Sequence, residues 1–203
     1  MSVWGRQVGP RVVEVVLADP IAGRWRARVC GGVSGEVLEI GFGAGQNLAY
    51  YGSAVTRVHA VDPSDVAWGR AQRRISQFGR PVQRVARDAA SLPLPDAGVD
   101  AVVSTWTLCT VPDLRGALAE VRRVLRPGGR LHLVEHSLAP GEGVRRVQRG
   151  IQPIWGPVAG GCHLDRDIPA ALADSGFAVD SLDARYAAPW PAHPWAWFVS
   201  GSA

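Results

Sequence analysis

Short apolar runs alternate along this chain with longer segments in which apolar residues recur every three or four positions. Runs rich in β-branched residues predict strands, and the longer periodic segments predict helices. The predicted strands cover residues 36–40, 57–61, 82–87, 99–104, 131–135, 177–182 and 195–200. The predicted helices cover 3–29, with a break near 19–20, and four segments that begin at about 47, 64, 114 and 169.

Capping residues mark where the predicted helices begin and end. Pro63 or Ser64 begins one helix, which runs to about Gly79. Asp113 begins the clearest helix, whose apolar stripe stops at the Pro-Gly-Gly segment 127–129. Because helices follow the first, second and fourth strands, the order strand–helix–strand repeats, and we expect a mostly parallel sheet with helices on both faces. The last two strands lack a clear helix between them, which predicts an antiparallel hairpin at one edge.

The length of 203 residues agrees with a single α/β domain, in which seven strands are predicted. We divide it into an N-terminal helical segment (1–34), a cofactor-binding core (35–136), an insert (137–168) and a C-terminal helix with strands (169–203). The insert is rich in glycine, proline and arginine. It is expected to form a loop that acts as a lid on the acceptor side.

Three alternate glycines follow the first predicted strand. The strand carries Glu39 and runs into Gly41, Gly43 and Gly45. Glycines here permit a tight turn and let a ligand approach the main chain. Their G-x-G-x-G spacing differs from the G-x-G-x-x-G of dinucleotide-binding proteins, and the acid would repel a pyrophosphate. The pattern therefore favours a ligand with a cationic end.

This motif resembles the first motif of class I S-adenosylmethionine-dependent methyltransferases. The resemblance covers about residues 35–136 and includes the segment 125–130, a helix stop followed by strand entry. It implies the Rossmann-like class I methyltransferase fold, with S-adenosylmethionine as cofactor and S-adenosylhomocysteine as product. It also places the three glycines and Asn47 near the methionine end of the cofactor.

Three further strand ends carry groups that suit a nucleoside. Asp62, followed by Pro63, can accept hydrogen bonds from ribose hydroxyls. Asp88 and Ala89 can meet an adenine, and Ser104 and Thr105 can line the methionine side. Taken alone, Asp88 is more typical of a structural turn. The carboxyl ends of parallel strands meet at one edge of a sheet, so the recurrence of these groups favours a cofactor site there.

A narrower resemblance concerns the acceptor side. The segments 107–111, 135–136, 151–155 and 160–167 look like the thiol methyltransferase-like branch, whose animal members methylate alkyl thiols at intracellular membranes. Those members begin with an anchoring segment. The apolar stretch at 12–17 is too short for the roughly 20 residues that a span needs. The resemblance thus implies methyl transfer to a small apolar acceptor, with a thiol as one candidate, but not membrane residence.

His136 and His163 are the candidate catalytic residues, because imidazole titrates near neutral pH. Two structural alternatives stay open: His136 can turn the chain after a strand, and His163 can hold the lid by hydrogen bonds. The sulfonium donor is already activated, so a catalytic base is not obligatory. Cys109 and Cys162 can be nucleophiles or ligands, although buried packing is the simpler interpretation.

Composition narrows the location and the partners. Three widely spaced cysteines argue against a disulfide framework and fit a cytoplasmic protein, as does an N-terminus without a signal-peptide pattern. No C-x-x-C pair is present, so no metal site is expected. The chain has no lysine, which excludes Schiff-base chemistry. The net charge of +4 comes from scattered arginines, so we expect no specific nucleic-acid binding.

Other functions remain in competition with thiol methylation. A lipid head-group amine, a quinone or a phenol oxygen are the alternative acceptors within the same class of enzyme. A dehydrogenase would require the other glycine spacing, and a cofactor-sensing or nucleic-acid-binding module would show salt-dependent retention on DNA or RNA. Peripheral membrane contact and the oligomeric state are left open by the sequence.

Overall fold

The computed structural model describes residues 20–179 and 181–203, where seven strands form one mixed sheet. The strands are β1 (Gly35–Ile40), β2 (Val55–Val61), β3 (Val82–Ala86), β4 (Val99–Thr105), β5 (Leu125–His136), β6 (Leu182–Tyr186) and β7 (Trp197–Ser202). The helices are α1 (Pro20–Cys30), α2 (Asp65–Phe78), α3 (Leu114–Val124), α4 (Glu142–Val158), α5 (Ile168–Asp174) and α6 (His193–Ala196). A 3-10 turn covers Gln46–Tyr50.

The order of the strands in the sheet is β3-β2-β1-β4-β5-β7-β6. Strands β1 to β5 are parallel to one another, whereas β7 runs antiparallel to both β5 and β6. The predicted α/β sheet with an antiparallel hairpin at one edge is therefore confirmed. The strand order reverses between β1 and β4, and in open parallel sheets such a switch point opens a crevice at the carboxyl ends of the strands.

Alternate residues of the central strands enter opposite core layers. Val37 packs in the layer closed by α1 and α2, whereas its neighbour Leu38 packs in the layer closed by α3 and α5. Both side chains are fully buried. In β4, Val103 belongs to the first layer and Val102 to the second. Burial on both faces explains why these strands read as continuous apolar runs.

The predicted helix caps on the second and third helices are confirmed. The Ser64 hydroxyl accepts a hydrogen bond from the backbone N–H of Ala67, and α2 ends at Gly79 in the left-handed conformation (φ 68°). The Asp113 carboxylate accepts a hydrogen bond from the backbone N–H of Gly116. These caps fix the residue at which each of the two helices begins.

Several predicted boundaries were wrong. The fifth strand starts at Leu125 rather than at residue 131, because the Pro-Gly-Gly segment bulges out between the pairs Val99–Leu125 and Ala101–Arg130. The last two strands lie at Leu182–Tyr186 and Trp197–Ser202, two to five residues later than predicted. The apolar residues at 177–179 instead pack as coil against the second core layer.

Two predicted helices also differ from the structure. The helix expected from residue 47 is a single 3-10 turn, and the connection between the last two strands contains the short α6. The helix predicted for residues 3–29 is present as α1, but its first part lies outside the described residues. None of the described helices is long and apolar enough to cross a membrane.

Helix α4 occupies residues 142–158 of the insert, so the prediction that the insert is a loop was wrong, whereas its role as a lid stays a prediction. Its amphipathic helix α4 runs through two prolines and packs against the core on one side. Gln148 is fully buried and anchors it: its Oε1 accepts from the backbone N–H of Ala139, and its Nε2 donates to the carbonyls of Ser137 and Pro194. Sequence reasoning missed the helix because glycine and proline content was taken as a loop signal.

The cap of α3 predicts a measurable stability effect. Asp113→Ala removes the acceptor of the Gly116 N–H, which should lower the free energy of unfolding by about 1 kcal/mol. Asp113→Asn keeps an acceptor of the same size and should lose only a few tenths of that amount. Urea denaturation of both variants would measure the difference. Equal stability of wild type and Asp113→Ala would show that the cap does not stabilise the helix.

Candidate cofactor site and acceptor side

The glycine loop after β1 has the conformation that its sequence predicts. Gly41, Gly43 and Gly45 all have positive φ angles, of 74°, 55° and 74°. A Cβ on Gly41 would lie 1.9 Å from the Thr107 hydroxyl oxygen. Gly41 is therefore required both by its backbone conformation and by the close approach of the loop that follows β4.

The other two glycines have different surroundings. A Cβ on Gly43 would have no atom nearer than the Gly41 carbonyl oxygen at 3.9 Å, whereas a Cβ on Gly45 would press on Phe42 at 3.2 Å. Gly45 thus supports the packing beneath the loop. The open space beside Gly43 lets a ligand reach the backbone there.

Asp62 connects the end of β2 to the glycine loop. Its Oδ2 accepts a hydrogen bond of 2.7 Å from the Gly43 N–H, and its Oδ1 accepts one of 2.7 Å from the Ser64 N–H. Burial raises the pKa of the Asp62 carboxyl above its usual value. Each carboxylate oxygen can accept a further hydrogen bond, so two hydroxyls of a ribose can still be bound. The exposed Pro63 follows directly.

Glu39 lies beneath the loop in a buried polar cluster. The carboxylate is almost fully buried and accepts hydrogen bonds from Asn47 Nδ2 at 3.0 Å and from the Tyr51 hydroxyl at 2.6 Å. Burial raises the pKa of the Glu39 carboxyl to about 7. The two hydrogen bonds occupy both carboxylate oxygens of Glu39 and hold the glycine loop in position. Direct contact of Glu39 with the cationic end of a ligand stays a prediction.

Arg26 completes this cluster and was missed by sequence reasoning. Its guanidinium donates to Asn47 Oδ1, to Thr105 Oγ1 at 3.0 Å and to Gln46 Oε1 at 2.8 Å. Desolvation lowers the pKa of Arg26, and the nearby Glu39 carboxylate opposes that change. In the sequence Arg26 is one of several similar arginines. The packing of α1 against β4 singles it out.

The remaining predicted cofactor residues fall into two groups. Asp88 is exposed and its carboxylate accepts the Ala90 N–H, which is a turn contact, while Ala89 is buried in the second core layer. Ser104 is fully buried and donates its hydroxyl to Glu135. Thr105 accepts from Arg26 and Asn47. The two β4 residues thus connect the end of β4 to the residues around the glycine loop and to Glu135 through hydrogen bonds.

Glu135 organises the loop that follows β4, and its role was also missed. The carboxylate is fully buried and accepts the Ser104 hydroxyl at 2.7 Å, the Thr107 N–H at 3.0 Å and the Cys109 N–H at 3.1 Å. Two of these donors are backbone groups that no strand pairs. The segment 104–109 is held against β5 as a result.

The two candidate catalytic histidines have different environments. His136 ends β5, and its ring packs edge-on against Phe198 with 4.9 Å between the ring centroids. Its Nδ1 lies 3.9 Å from Cys109 Sγ and 3.7 Å from Cys162 Sγ. The structure therefore brings together three residues that the sequence separates widely.

His163 lies on the turn after α4 and is more exposed. Its Nδ1 is 3.6 Å from a carboxylate oxygen of Asp165 and 3.4 Å from Gln152 Nε2. It lines a cavity of about 490 Å³ along α4, together with Arg149 and Gly161 among others. His163 is thus the histidine with direct access to a solute on the lid side.

Comparisons with known proteins agree with this geometry. The model of the methyltransferase domain family matches residues 38–133. Thiol S-methyltransferase TMT1B of Rattus norvegicus is 34% identical over 178 residues, covering 84% of this chain and 69% of that protein. Human TMT1B is 36% identical over 75% of this chain and 64% of its own length.

Solved structures share the fold at lower identity. An S-adenosylmethionine-dependent methyltransferase of Thermotoga maritima superposes with a TM-score of 0.67 at 19% identity, covering 97% of this chain and 95% of that one. The chain belongs to the class I S-adenosylmethionine-dependent methyltransferases, in the branch that contains the thiol S-methyltransferases. It is a methyltransferase, and S-adenosylmethionine is its cofactor.

The buried Glu39 predicts a pH dependence of stability. Its carboxyl pKa is about 7 in the folded chain against 4.5 ordinarily, so protonation favours the folded state. That stabilisation is complete below about pH 4.5 and is lost as the pH rises to about 7, roughly 3 kcal/mol in all. Urea denaturation of Glu39→Gln between about pH 5 and pH 8 should therefore show a flatter profile than wild type.

Glu142→Gln is the matched control, because the side chain of Glu142 is 84% exposed. Its profile should follow that of wild type. If Glu39→Gln loses stability with rising pH as steeply as wild type does, the carboxyl of Glu39 is not the group responsible.

Proposed function

We propose that this chain transfers a methyl group from S-adenosylmethionine to a small apolar thiol. The observation that carries the proposal is the similarity to thiol S-methyltransferases over 84% of the chain, which extends beyond the cofactor core into the lid and the turn after α4. When bound, the cofactor supplies a methyl group on a positively charged sulfur. The protein has to hold the acceptor in line and exclude water.

The crevice at the ends of β1, β2 and β4 supports the cofactor assignment. Backbone groups beside Gly43 are open to a ligand, and the Asp62 carboxylate retains acceptor capacity for ribose hydroxyls. We assign Gly41, Gly45, Glu39 and Asn47 to shaping the loop. Pro63, Asp88 and Ala89 are assigned to the adenosine side, and Ser104 and Thr105 to the methionine side.

The acceptor side is assigned to α4 and the turn that follows it. The cavity along α4 has apolar and polar lining and is bordered by His163. The Gln152 amide nitrogen and the Asp165 carboxylate both lie beside His163 Nδ1, at 3.4 Å and 3.6 Å, so the Nε2 side of the ring is the side assigned to a solute. His136 is the second candidate, although its Nδ1 is directed at two sulfur atoms.

Two other acceptor classes have support from similarity alone. Phosphatidylethanolamine N-methyltransferase of Cereibacter sphaeroides is 30% identical over 69% of this chain, and a demethylmenaquinone methyltransferase of Clavibacter sepedonicus is 36% identical over 60%. Both alignments cover less of the chain than those of the thiol enzymes. A lipid amine or a quinone or phenol oxygen is therefore the second choice.

Asp62 provides a test of the cofactor assignment. Asp62→Ala should weaken S-adenosylmethionine binding at least tenfold in calorimetry, because hydrogen bonds to a carboxylate contribute about 1.5–3 kcal/mol each. Asp96→Ala removes an exposed carboxylate that pairs with Arg123 and should leave the affinity unchanged. Circular dichroism would verify that both variants are folded. Unaltered affinity of a folded Asp62→Ala would contradict the assignment.

The acceptor is tested with a panel of alkyl and aryl thiols beside matched amines and phenols. Mass spectrometry should detect a methylated thiol together with an equal amount of S-adenosylhomocysteine. The rate should increase as the thiolate forms, towards a pKa of about 8.5 for a thiol of the cysteine type. A product from an amine or phenol alone would replace the thiol by the second choice. Cofactor binding without any product would withdraw the thiol assignment.

A further inference from the structure

Three soft or borderline metal ligands converge beside the candidate acceptor side. Cys109 follows β4, His136 ends β5, and Cys162 follows α4. The two sulfur atoms are 3.8 Å apart, and His136 Nδ1 lies 3.9 Å and 3.7 Å from them. All three atoms therefore lie at the corners of a nearly equilateral triangle. The three residues come from separate segments of the chain, so tertiary packing alone assembles this group.

The dimensions of this triangle match one face of a tetrahedral zinc site. Zinc binds thiolates at about 2.3 Å and imidazole nitrogen at about 2.0–2.1 Å. Tetrahedral angles then place two thiolate sulfurs about 3.8 Å apart and each sulfur about 3.5 Å from the nitrogen. The observed separations agree with these values to within a few tenths of an ångström. A disulfide would require a sulfur–sulfur distance of about 2.05 Å.

The surrounding structure holds the three ligands in place. Cys109 is fully buried, its N–H donates to Glu135 and its carbonyl accepts the His163 N–H at 2.8 Å. Cys162 is nearly buried, and its carbonyl accepts from Gln152 Nε2. The His136 ring is fixed against Phe198. The backbone on both sides of the triangle is thus positioned without a metal, as a preorganised site requires.

We propose that Cys109, His136 and Cys162 bind one zinc ion. Binding displaces one proton from each thiol, so that two thiolates balance the double charge of the cation and the imidazole binds as the neutral ligand. Within the described residues these three side chains form the ligand group, and water or a solute thiol would take the fourth position. Zinc would fasten the turn after α4 to the ends of β4 and β5.

The sequence analysis expected no metal site, and it did not detect this group of three ligands. It relied on the missing C-x-x-C pair, whereas here 53 residues separate the two cysteines and His136 lies between them. The proposal also differs from simple packing of buried thiols. Thiol hydrogen bonds to His136 Nδ1 are the metal-free alternative for these contacts, and metal titration distinguishes the two. The zinc proposal does not depend on which acceptor the enzyme methylates.

Cobalt titration of the reduced, chelator-treated protein tests the proposal. Wild type should bind one equivalent of Co²⁺ with a thiolate-to-cobalt charge-transfer absorption, and Zn²⁺ should displace the cobalt and abolish the band. Cys109→Ser, Cys162→Ser and His136→Gln should each lower the affinity more than tenfold. Cys30→Ser is the matched control: Cys30 is fully buried in the first core layer and should leave the titration unchanged.

Wild-type protein decides the outcome even where a variant fails to fold. If reduced wild type gives no charge-transfer band and takes up no zinc by elemental analysis, the site does not bind metal. The same conclusion follows if a folded Cys109→Ser/Cys162→Ser double variant binds Co²⁺ as tightly as wild type. The readout uses no methyl transfer, so its failure is distinguishable from failure of the proposed activity.

Discussion

Buried carboxylates at the carboxyl ends of the strands are the constraint on which the rest of the site depends. A parallel sheet covered on both faces leaves backbone N–H groups of the connecting loops unpaired where the strands end, and these groups need acceptors. Asp62 supplies them for the loop after β1, and Glu135 for the loop after β4. Each carboxylate thereby sets the position of a loop that it does not belong to.

These carboxylates carry an electrostatic cost that the fold only partly offsets. Glu39 and Asp62 are both buried near the glycine loop, and burial raises the pKa of each. Arg26 is the buried cation that faces Glu39, through shared contacts with Asn47. A concentration of desolvated charge around one crevice is characteristic of a functional site rather than of a structural core. Glu135, like Asp62, accepts hydrogen bonds from neutral donors, here the Ser104 hydroxyl and the backbone N–H groups of Thr107 and Cys109.

The core (35–136) and the insert (137–168) differ in what they share with known methyltransferases. The core uses strand ends that are common to class I methyltransferases, so it defines the reaction and the donor. The insert, with α4 and the turn that carries Cys162 and His163, is the part in which similarity to thiol S-methyltransferases goes beyond the core. Helix α4 packs against α6 and, through Ile151 and Trp155, against the cluster that contains Cys109 and Cys162.

The sequence by itself determined the mostly parallel sheet with its antiparallel hairpin, the caps at Ser64 and Asp113, and the glycine loop, because these depend on local conformation and on periodicity. It could not determine that Arg26 turns inward while its neighbours do not, since that choice is made by the packing of α1. The sequence also did not predict the helix in the insert. This helix is anchored by Gln148, which bonds to backbone groups of Ala139 and Pro194 that only the folded chain brings close. Only tertiary structure brought Cys109, His136 and Cys162 together, since their ligand atoms belong to three segments that meet at the carboxyl end of the sheet.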